Sequence, residues 1–191
     1  MMESTRARIL QKAGELFATR GYRAISMREI AAECGISKPA IYHHFQDKKH
    51  LYLEVLDREL ERLVVALDEA GAIPGTAIER LSRLVRCYLE ALHRRLSLLQ
   101  LLFRDIGDLE GEIPDLANKR GEGVLRPFVA LIQEGIARGE FRPVDATRTA
   151  LSLVGMMNIF VTRTLLRPDL IIGEEDVLHT VDLALNGLIP R

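Results

Sequence analysis

Apolar residues recur at intervals of three and four positions along most of the chain, the spacing that gives an α-helix one buried face. The first such stretch covers about 4–20 and ends at Gly21, and a second begins after Ser26, where Glu29 completes the pattern of a capping box. The same spacing predicts further helices over 47–71, 77–95, 116–138, 146–166 and 174–187. No stretch has a strand pattern of useful length, so the predicted fold class is all-α.

Three segments of this pattern carry structural expectations of their own. Pro127 lies inside the stretch 116–138, and because proline removes a backbone donor and clashes with the preceding turn, we expect a kink or a break near Arg126. Residues 96–103 are apolar on nearly every side, which predicts a helix buried all round. The stretch 146–166 has two apolar faces, so we expect a second partner to cover the face that its own core does not use.

Residues 26–50 have the pattern of two short helices joined by a tight turn. Gly35 follows the apolar stripe of the first helix and suits a left-handed turn residue, and Ser37 can cap the helix that follows. That second helix is expected to bury Ile36, Ile41 and Phe45 and to present Lys38, Tyr42, His43 and His44. This arrangement is a helix-turn-helix, whose second helix enters the major groove of DNA.

The order of these residues, nearly continuous from Ile9 to Leu56, resembles the DNA-binding region of the TetR family of transcriptional regulators. The shared segments are Gly21-Tyr22, Ser26-Met27-Arg28-Glu29-Ile30-Ala31, Gly35-Ile36-Ser37-Lys38, Ile41-Tyr42-His43-His44-Phe45 and Lys48-Lys49-His50-Leu51. The resemblance implies an N-terminal three-helix helix-turn-helix DNA-binding domain over 1–50, joined by a long helix to a helical ligand-sensing and dimerisation domain over 51–191. It further implies a homodimeric repressor that a small apolar or amphipathic ligand releases from a pseudo-palindromic operator.

A recognition helix offers its first turns to base edges in double-stranded DNA, so the candidates for base contact are Ser37, Lys38, Ala40 and His43. By resemblance to the family, contacts to phosphates are expected from Tyr42, Lys48 and Ser26. Lys48 also lies in the first turn of a helix, where the dipole disfavours cations and a bound phosphate would remove the conflict. The outer face of the first helix, which is either solvated or in contact with the phosphate backbone, carries Arg6, Arg8 and Lys12.

The remaining helices are expected to sense a small molecule of unknown identity and to dimerise, as the resemblance implies. Candidates for lining an apolar cavity are Tyr88, His93, Phe103, Met156, Asn158 and Phe160, each of which also fits an ordinary packing role. His93 and Asn158 are the polar groups that would orient the ligand. The homodimer is expected to form through helices 146–166 and 174–188. An oxidant-sensing role for Cys87 is open, but a buried inert thiol is favoured.

Charge divides the chain into two parts. Residues 1–50 carry nine Lys and Arg against five Asp and Glu, a net charge of +4, whereas residues 51–191 carry −5 within a whole-chain charge of −1. A basic part suits a polyanion, and an acidic remainder suits self-association or small molecules. No run approaches the roughly 18 apolar residues of a membrane span, and the first residues lack a signal-peptide pattern, so we expect a cytoplasmic protein.

Other functions fit parts of the same pattern. A transcriptional activator of the same fold is one alternative, and a helical protein-interaction adaptor that does not bind DNA is another. An enzyme is disfavoured because no nucleophile elbow, phosphate loop or metal-ligand pair accompanies the five histidines, His43, His44, His50, His93 and His179. The acidic segment 105–112 is expected to be solvated, so no metal and no cofactor is predicted.

Overall fold

The computed structural model describes residues 4–94, 112–167 and 173–188, and within them every regular element is an α-helix. In chain order the helices are α1 (Thr5–Arg20), α2 (Met27–Glu33), α3 (Lys38–His44), α4 (Lys48–Ala72), α5 (Ala77–Arg94), α6 (Glu112–Ala137), α7 (Ala146–Leu166) and α8 (Glu174–Leu188). The all-α prediction is confirmed, while the predicted helix 96–103 and the acidic residues before Glu112 lie outside the described residues. None of the described helices has the length and apolar character that crossing a membrane requires.

The helices begin where short polar side chains accept hydrogen bonds from the first turn. Ser4 Oγ accepts the backbone N–H three residues further on at 3.2 Å, and Asp145 Oδ1 does the same at 2.9 Å. Thr76 and Glu79 form a reciprocal capping box at the start of α5. Because these bonds join residues close in sequence, the starts of α1, α5 and α7 agree with the predicted ones.

α6 differs from its prediction at its start, and the break that was one of two outcomes expected near Pro127 is absent. It begins at Glu112 rather than near residue 116, and it continues through Pro127 without a break. The side chains that follow the proline explain its tolerance, since Phe128 and Ile132 are fully buried. Their burial offsets the lost backbone hydrogen bond and the steric clash from which a kink or a break was predicted, and the kink stays a prediction.

The first compact unit contains the described residues 4–60 and 112–117, and so includes α1, α2, α3, the first part of α4 and the start of α6. Its core is a single cluster of buried side chains from the first four helices and the loop after α1, namely Ile9, Leu10, Ala13, Leu16, Phe17, Ile25, Met27, Ile30, Ala31, Cys34, Ile41, Phe45, Leu51, Tyr52, Val55 and Leu56. Within this cluster Phe17 meets Tyr52 edge-on with 5.0 Å between ring centroids, and Tyr22 lies 4.8 Å from Tyr52. The core thereby holds α1, α2 and α3 against the start of α4.

The second compact unit contains the described residues 61–94, 118–167 and 173–188. In this unit α5 packs against both α7 and α8 and buries its apolar side. Arg80 of α5 adds polar contacts, with Nη1 at 2.5 Å from Glu134 Oε2 and Nε donating to Gly71 O at 3.1 Å. A single guanidinium therefore links α5 to α6 and to the end of α4.

The connection after α6 packs very close to the helix. Gly139 adopts a left-handed φ of +73°, and the N–H groups of Glu140 and Phe141 then donate to Gly135 O at 2.9 and 3.0 Å. The Phe141 ring is 2% exposed and lies so near Gly135 that a β-carbon there would stand 2.4 Å from Phe141 Cδ2. Gly135 is therefore required because it allows a close approach.

We expect Gly135→Ala to destabilise the protein, because the added methyl group overlaps the buried Phe141 ring. Overpacking of this kind costs about 1–3 kcal/mol. Gly121→Ala on the same helix is the control, since a β-carbon there meets nothing within 4 Å and alanine favours a helix by up to about 1 kcal/mol. Thermal unfolding at one protein concentration measures both variants, and a Gly135→Ala protein as stable as wild type would contradict the close approach.

Candidate functional site

The start of α2 is held by the predicted capping box. Ser26 Oγ accepts from Glu29 N at 3.2 Å, and Glu29 Oε2 accepts from Ser26 N at 2.8 Å. Hydrogen bonds from the hydroxyl and backbone of Ser26, together with the nearby charge of Arg20, hold the pKa of Glu29 below its ordinary value. The hydroxyl of Ser26 donates to Glu29 Oε2 at 2.7 Å, so this side chain already has a partner within the protein.

Gly35 sets the turn between α2 and α3. It adopts a φ of +66°, its N–H donates to Ala32 O at 3.0 Å, and the N–H of Ile36 donates to Ala31 O at 3.0 Å. These are the two bonds of a Schellman motif, which satisfies the last carbonyl groups of α2. Ser37 Oγ then accepts an N–H from the first turn of α3 at 3.3 Å, so the second helix begins directly after the turn.

α3 presents one side to the core and the opposite side to solvent. Ile41 is fully buried, and Phe45, which ends the helix, is 1% exposed. The exposed side of α3 and its cap consists of Ser37, Lys38, Pro39, Tyr42 and His43. Tyr42 is 44% exposed, and Lys38 Nζ lies 6.0 Å from the centroid of its ring. A cation, a phenol hydroxyl and small side chains on one surface suit contact with phosphates and base edges.

The predicted DNA-contacting residues are mostly brought together on this surface. Ser37, Lys38, Tyr42 and His43 lie on the exposed side, and Ala40 is half-buried at its edge. Pro39, for which no DNA-contacting role is predicted, is also exposed on this side. It lies between Tyr42 and His43 on the helical wheel, and this position is the signal that identifies it.

Lys48 lies at the start of α4, but its ammonium group is turned toward the protein. Nζ donates to Tyr22 O at 3.0 Å and to Ile25 O at 3.1 Å, and it lies 4.3 Å from the centroid of the Tyr22 ring. The expected conflict with the helix dipole is therefore relieved by two carbonyl groups and an aromatic face within the protein. Since an ammonium group carries three donors, one remains beyond these two bonds.

Two of the predicted ligand-lining residues meet in the second unit. Tyr88 is 4% exposed and donates its hydroxyl to Asn158 Oδ1 at 2.7 Å, while its ring packs edge-on against Phe128 with 6.3 Å between centroids. The contact joins α5 to α7 through one hydrogen bond beside an aromatic pair. Phe103 and the side chain of His93 lie outside the described residues.

Met156 and Phe160 have other surroundings. Met156 is 36% exposed and, with Leu183, lines an open surface groove of about 290 Å³ between α7 and α8, rather than an enclosed cavity. Phe160 is half-buried, with the guanidinium of Arg163 at 5.3 Å from its ring centroid. For these two residues the ligand-lining role stays a prediction. Cys87 forms no disulfide and is half-buried, where a buried thiol was favoured.

A capped three-helix unit with one exposed, core-anchored short helix defines a helix-turn-helix DNA-binding protein. The model described as "Bacterial regulatory proteins, tetR family" matches residues 9–55, and the model described as "Tetracyclin repressor-like, C-terminal domain" matches residues 74–162. The transcriptional repressor KstR2 of Mycolicibacterium smegmatis is 31% identical over 73% of this chain and 69% of its own length. The chain belongs to the TetR family and is a DNA-binding transcriptional regulator. Proteins of this family regulate transcription and are not enzymes.

Further similar proteins cover nearly the whole chain. The transcriptional activator FasR of Mycolicibacterium smegmatis is 29% identical over 97% of this chain and 84% of its own length. The solved structure of PfmR, a TetR family regulator from Thermus thermophilus, has a TM-score of 0.75 at 28% identity and covers 96% of this chain and 100% of PfmR. A protein from Rhodococcus sp. RHA1 has the same fold, with a TM-score of 0.82 at 24% identity over 99% of this chain and 97% of that one. TetR family regulators bind DNA and act as dimers with small-molecule effectors.

Burial raises the pKa of Tyr88 to about 12, against ~10 for an exposed tyrosine. Because the folded state holds the phenol proton more tightly than the unfolded chain, this contribution to stability is complete below pH ~10 and is lost as the pH rises toward 12. Tyr88→Phe should reduce the alkaline loss of stability, and it should cost about 1 kcal/mol at neutral pH through the lost hydrogen bond. Urea unfolding at neutral pH and at pH ~11 measures both effects; an alkaline loss equal to that of wild type would contradict the burial of the phenol.

Proposed function

We propose that the protein is a homodimeric, ligand-responsive repressor that binds a pseudo-palindromic operator in double-stranded DNA through α3 of each chain. The observation that carries this proposal is the exposed side of α3, which offers Lys38, Tyr42 and His43 on one surface above a packed core. In this proposal residues 1–50 bind DNA, and residues 51–191 sense the ligand and dimerise. Action on DNA would place the protein in the cytoplasm.

The proposed DNA contacts differ in what they recognise. Base edges are contacted from the cap and exposed side of α3 by Ser37, Lys38, Ala40 and His43. Phosphates are contacted by Tyr42, Lys48 and Ser26, which fix the register of the protein on the duplex. Lys48 would use the donor that its two carbonyl bonds leave over, and Ser26 would exchange its hydroxyl bond to Glu29 for one to a phosphate.

A single α3 is too short to select an operator. Its seven residues span about 10 Å at 1.5 Å per residue, which corresponds to roughly three base pairs. Two copies whose recognition helices lie about 34–36 Å apart read two half-sites on successive turns of the major groove. The two-fold symmetry of such a dimer is the reason for proposing a pseudo-palindromic operator.

The proposed dimer surface lies on α7 and α8. Leu151 and Ile159 on α7 are 52% and 59% exposed, and Leu178 and Leu183 on α8 are 57% and 48% exposed. The open groove between these helices adds Met156 to the apolar surface. Large apolar side chains exposed together mark interaction surfaces, and we propose that the same helices of a second chain cover them.

The effector is proposed to be a small apolar or amphipathic molecule bound in the second unit. The Tyr88–Asn158 hydrogen bond beside Phe128 combines a polar pair with an apolar wall, as ligand sites do. A ligand changes DNA affinity only if it binds one arrangement of the dimer more tightly than another. Mass spectrometry of molecules released from the purified protein tests this part. Finding none, together with no ligand that lowers operator affinity, would contradict it.

The direction of regulation has two candidates. The relative named as the repressor KstR2 favours repression, and the relative named as the activator FasR keeps activation as the second candidate. A reporter gene placed behind the operator distinguishes them, since deleting a repressor raises expression and deleting an activator lowers it.

We expect Lys38→Ala to lower affinity for the operator by at least about thirtyfold, because a base contact is worth about 1–3 kcal/mol and a dimer loses two. The operator is first selected by the full-length protein from random duplexes roughly three helical turns long. Tyr42→Phe should lower the affinities for operator and unrelated DNA by similar factors, because a phosphate contact does not depend on sequence. Fluorescence anisotropy measures the affinity of each variant for the operator and for unrelated DNA.

The control for this prediction is Arg126→Ala, which removes a positive charge that is 64% exposed in the second unit. It should leave both DNA affinities unchanged. Operator binding that resists Lys38→Ala, or wild-type binding that does not weaken as salt is raised, would contradict the proposed interface.

We expect Ile159→Asp to convert the dimer into a monomer and to weaken operator binding with it, because the charge would be buried in an apolar interface. Val65→Asp is the matched control, since Val65 is a β-branched residue that is 50% exposed on α4, a helix that is not part of the proposed surface. Size-exclusion chromatography with light scattering measures the mass of each variant. An Ile159→Asp protein that remains dimeric would contradict the proposed dimer surface.

A further inference from the structure

Four side chains form a cluster at the C-terminal end of α3, and the one DNA-contacting role considered above for any of them is a phosphate contact by Arg6. Arg6 of α1 donates through Nη2 to both carboxylate oxygens of Glu54 of α4, at 2.5 Å to Oε2. Its guanidinium also lies over the Phe45 ring, with Cζ 4.9 Å from the centroid. His50 completes this Arg6 cluster, with Nε2 at 3.5 Å from Glu54 Oε1 and its ring 6.3 Å from that of Phe45.

Phe45 connects the Arg6 cluster to the recognition helix. It ends α3, its N–H donates to Ile41 O at 3.0 Å, and its side chain is 1% exposed. The ring is a member of the buried core and is also contacted by Arg6 and His50. A displacement of Arg6 would therefore change where the last turn of α3 is held.

The geometry points to Arg6 and Glu54 as positioning residues, which hold α3 in its DNA-reading orientation without contacting DNA themselves. The inference rests on the proposed role of α3 in reading the operator. A planar guanidinium suits this task because its edge binds a carboxylate through two hydrogen bonds while its face stacks on an aromatic ring. Arg6 thereby joins α1, α4 and the end of α3.

Because Glu54 is negatively charged, electrostatic repulsion and the positioning role predict opposite changes in operator affinity when its charge is removed. A carboxylate in a DNA-binding unit repels phosphates, so charge alone predicts that removing Glu54 strengthens binding. Positioning predicts the opposite, because Arg6 would lose the partner that holds it over Phe45. An Arg6 side chain that is only solvated, or that contacts a phosphate, does not require Glu54. A loss of operator affinity when Glu54 is removed is therefore expected only if Arg6 is a positioning residue.

Glu54→Gln is tested in the full-length protein with the selected operator duplex and an unrelated duplex of equal length. We expect operator affinity to fall about tenfold, or about threefold for each chain of the dimer, while affinity for unrelated DNA does not fall. Glu15→Gln is the matched control. Glu15 also forms an ion pair with a basic side chain of the same unit, Lys12 at 3.1 Å, but it has no part in the Arg6 cluster. Its removal should leave operator affinity equal to or above that of wild type.

Variants of Arg6 separate positioning from a phosphate contact. Arg6→Lys keeps the charge but not the planar group, so it should lower operator affinity as Glu54→Gln does. Arg6→Gln should leave the slope of log affinity against log salt unchanged. A phosphate contact would instead reduce that slope by about 1.8 per dimer, and this result would overturn the inference.

Arg58→Gln separates positioning from a general loss of stability. Arg58 Nη1 donates to Ala7 O at 3.2 Å, so this side chain also ties α4 to α1. Its loss should lower the melting temperature but leave the ratio of operator to unrelated affinity unchanged. The inference fails if Arg58→Gln lowers this ratio as much as Glu54→Gln, or if Glu54→Gln behaves like Glu15→Gln. Operator binding that survives Lys38→Ala would overturn the role of α3 itself, and the positioning role with it.

Discussion

A helix of seven residues is too short to be stable by itself, and the first unit is built around this constraint. α3 is held at its start by the Ser37 cap, in its middle by the fully buried Ile41, and at its end by Phe45. All three attachments use the core-facing side or the ends of the helix. The opposite side is therefore free to present Lys38 and Tyr42 to a partner, so stability and presentation depend on one short segment.

The same constraint gives α4 two functions. Its first turns belong to the core beneath α3, since Leu51 and Tyr52 are fully buried and Lys48 bonds two carbonyl groups of the loop before α2. Beyond Leu60 the helix contributes residues to the second unit. Because α1, α2, α3 and α4 share one core, a change in α4 that is transmitted from the second unit would alter the support of α3. The proposed ligand response needs only such a change, provided that the ligand binds one arrangement more tightly.

The sequence predicted those features that depend on nearby residues. The caps at Ser26 and Ser37 need only residues three positions apart, and the helical period separates the buried from the exposed side of α3, so both were identified from spacing. Contacts between distant residues have no such signal. Arg6 and Glu54 lie 48 positions apart, and the bonds of Lys48 depend on the path of a loop, which spacing does not determine. The candidate DNA surface was therefore predictable, whereas the side chains that support it were not.

Because one α3 can contact only a few base pairs, the second unit has to provide the contacts that hold a dimer together. α7 buries Leu153 and Met157 in its own unit but leaves Leu151 and Ile159 exposed, and α8 does the same with Leu178. Because these side chains are about half exposed, burying the exposed part of one contributes about 1 kcal/mol, against an association cost of at least about 4 kcal/mol. Several such side chains from each chain would thus have to be buried to hold the proposed dimer before it meets DNA. Since three base pairs per helix cannot select an operator, the affinity of the proposed regulator for DNA depends on these apolar residues as much as on α3.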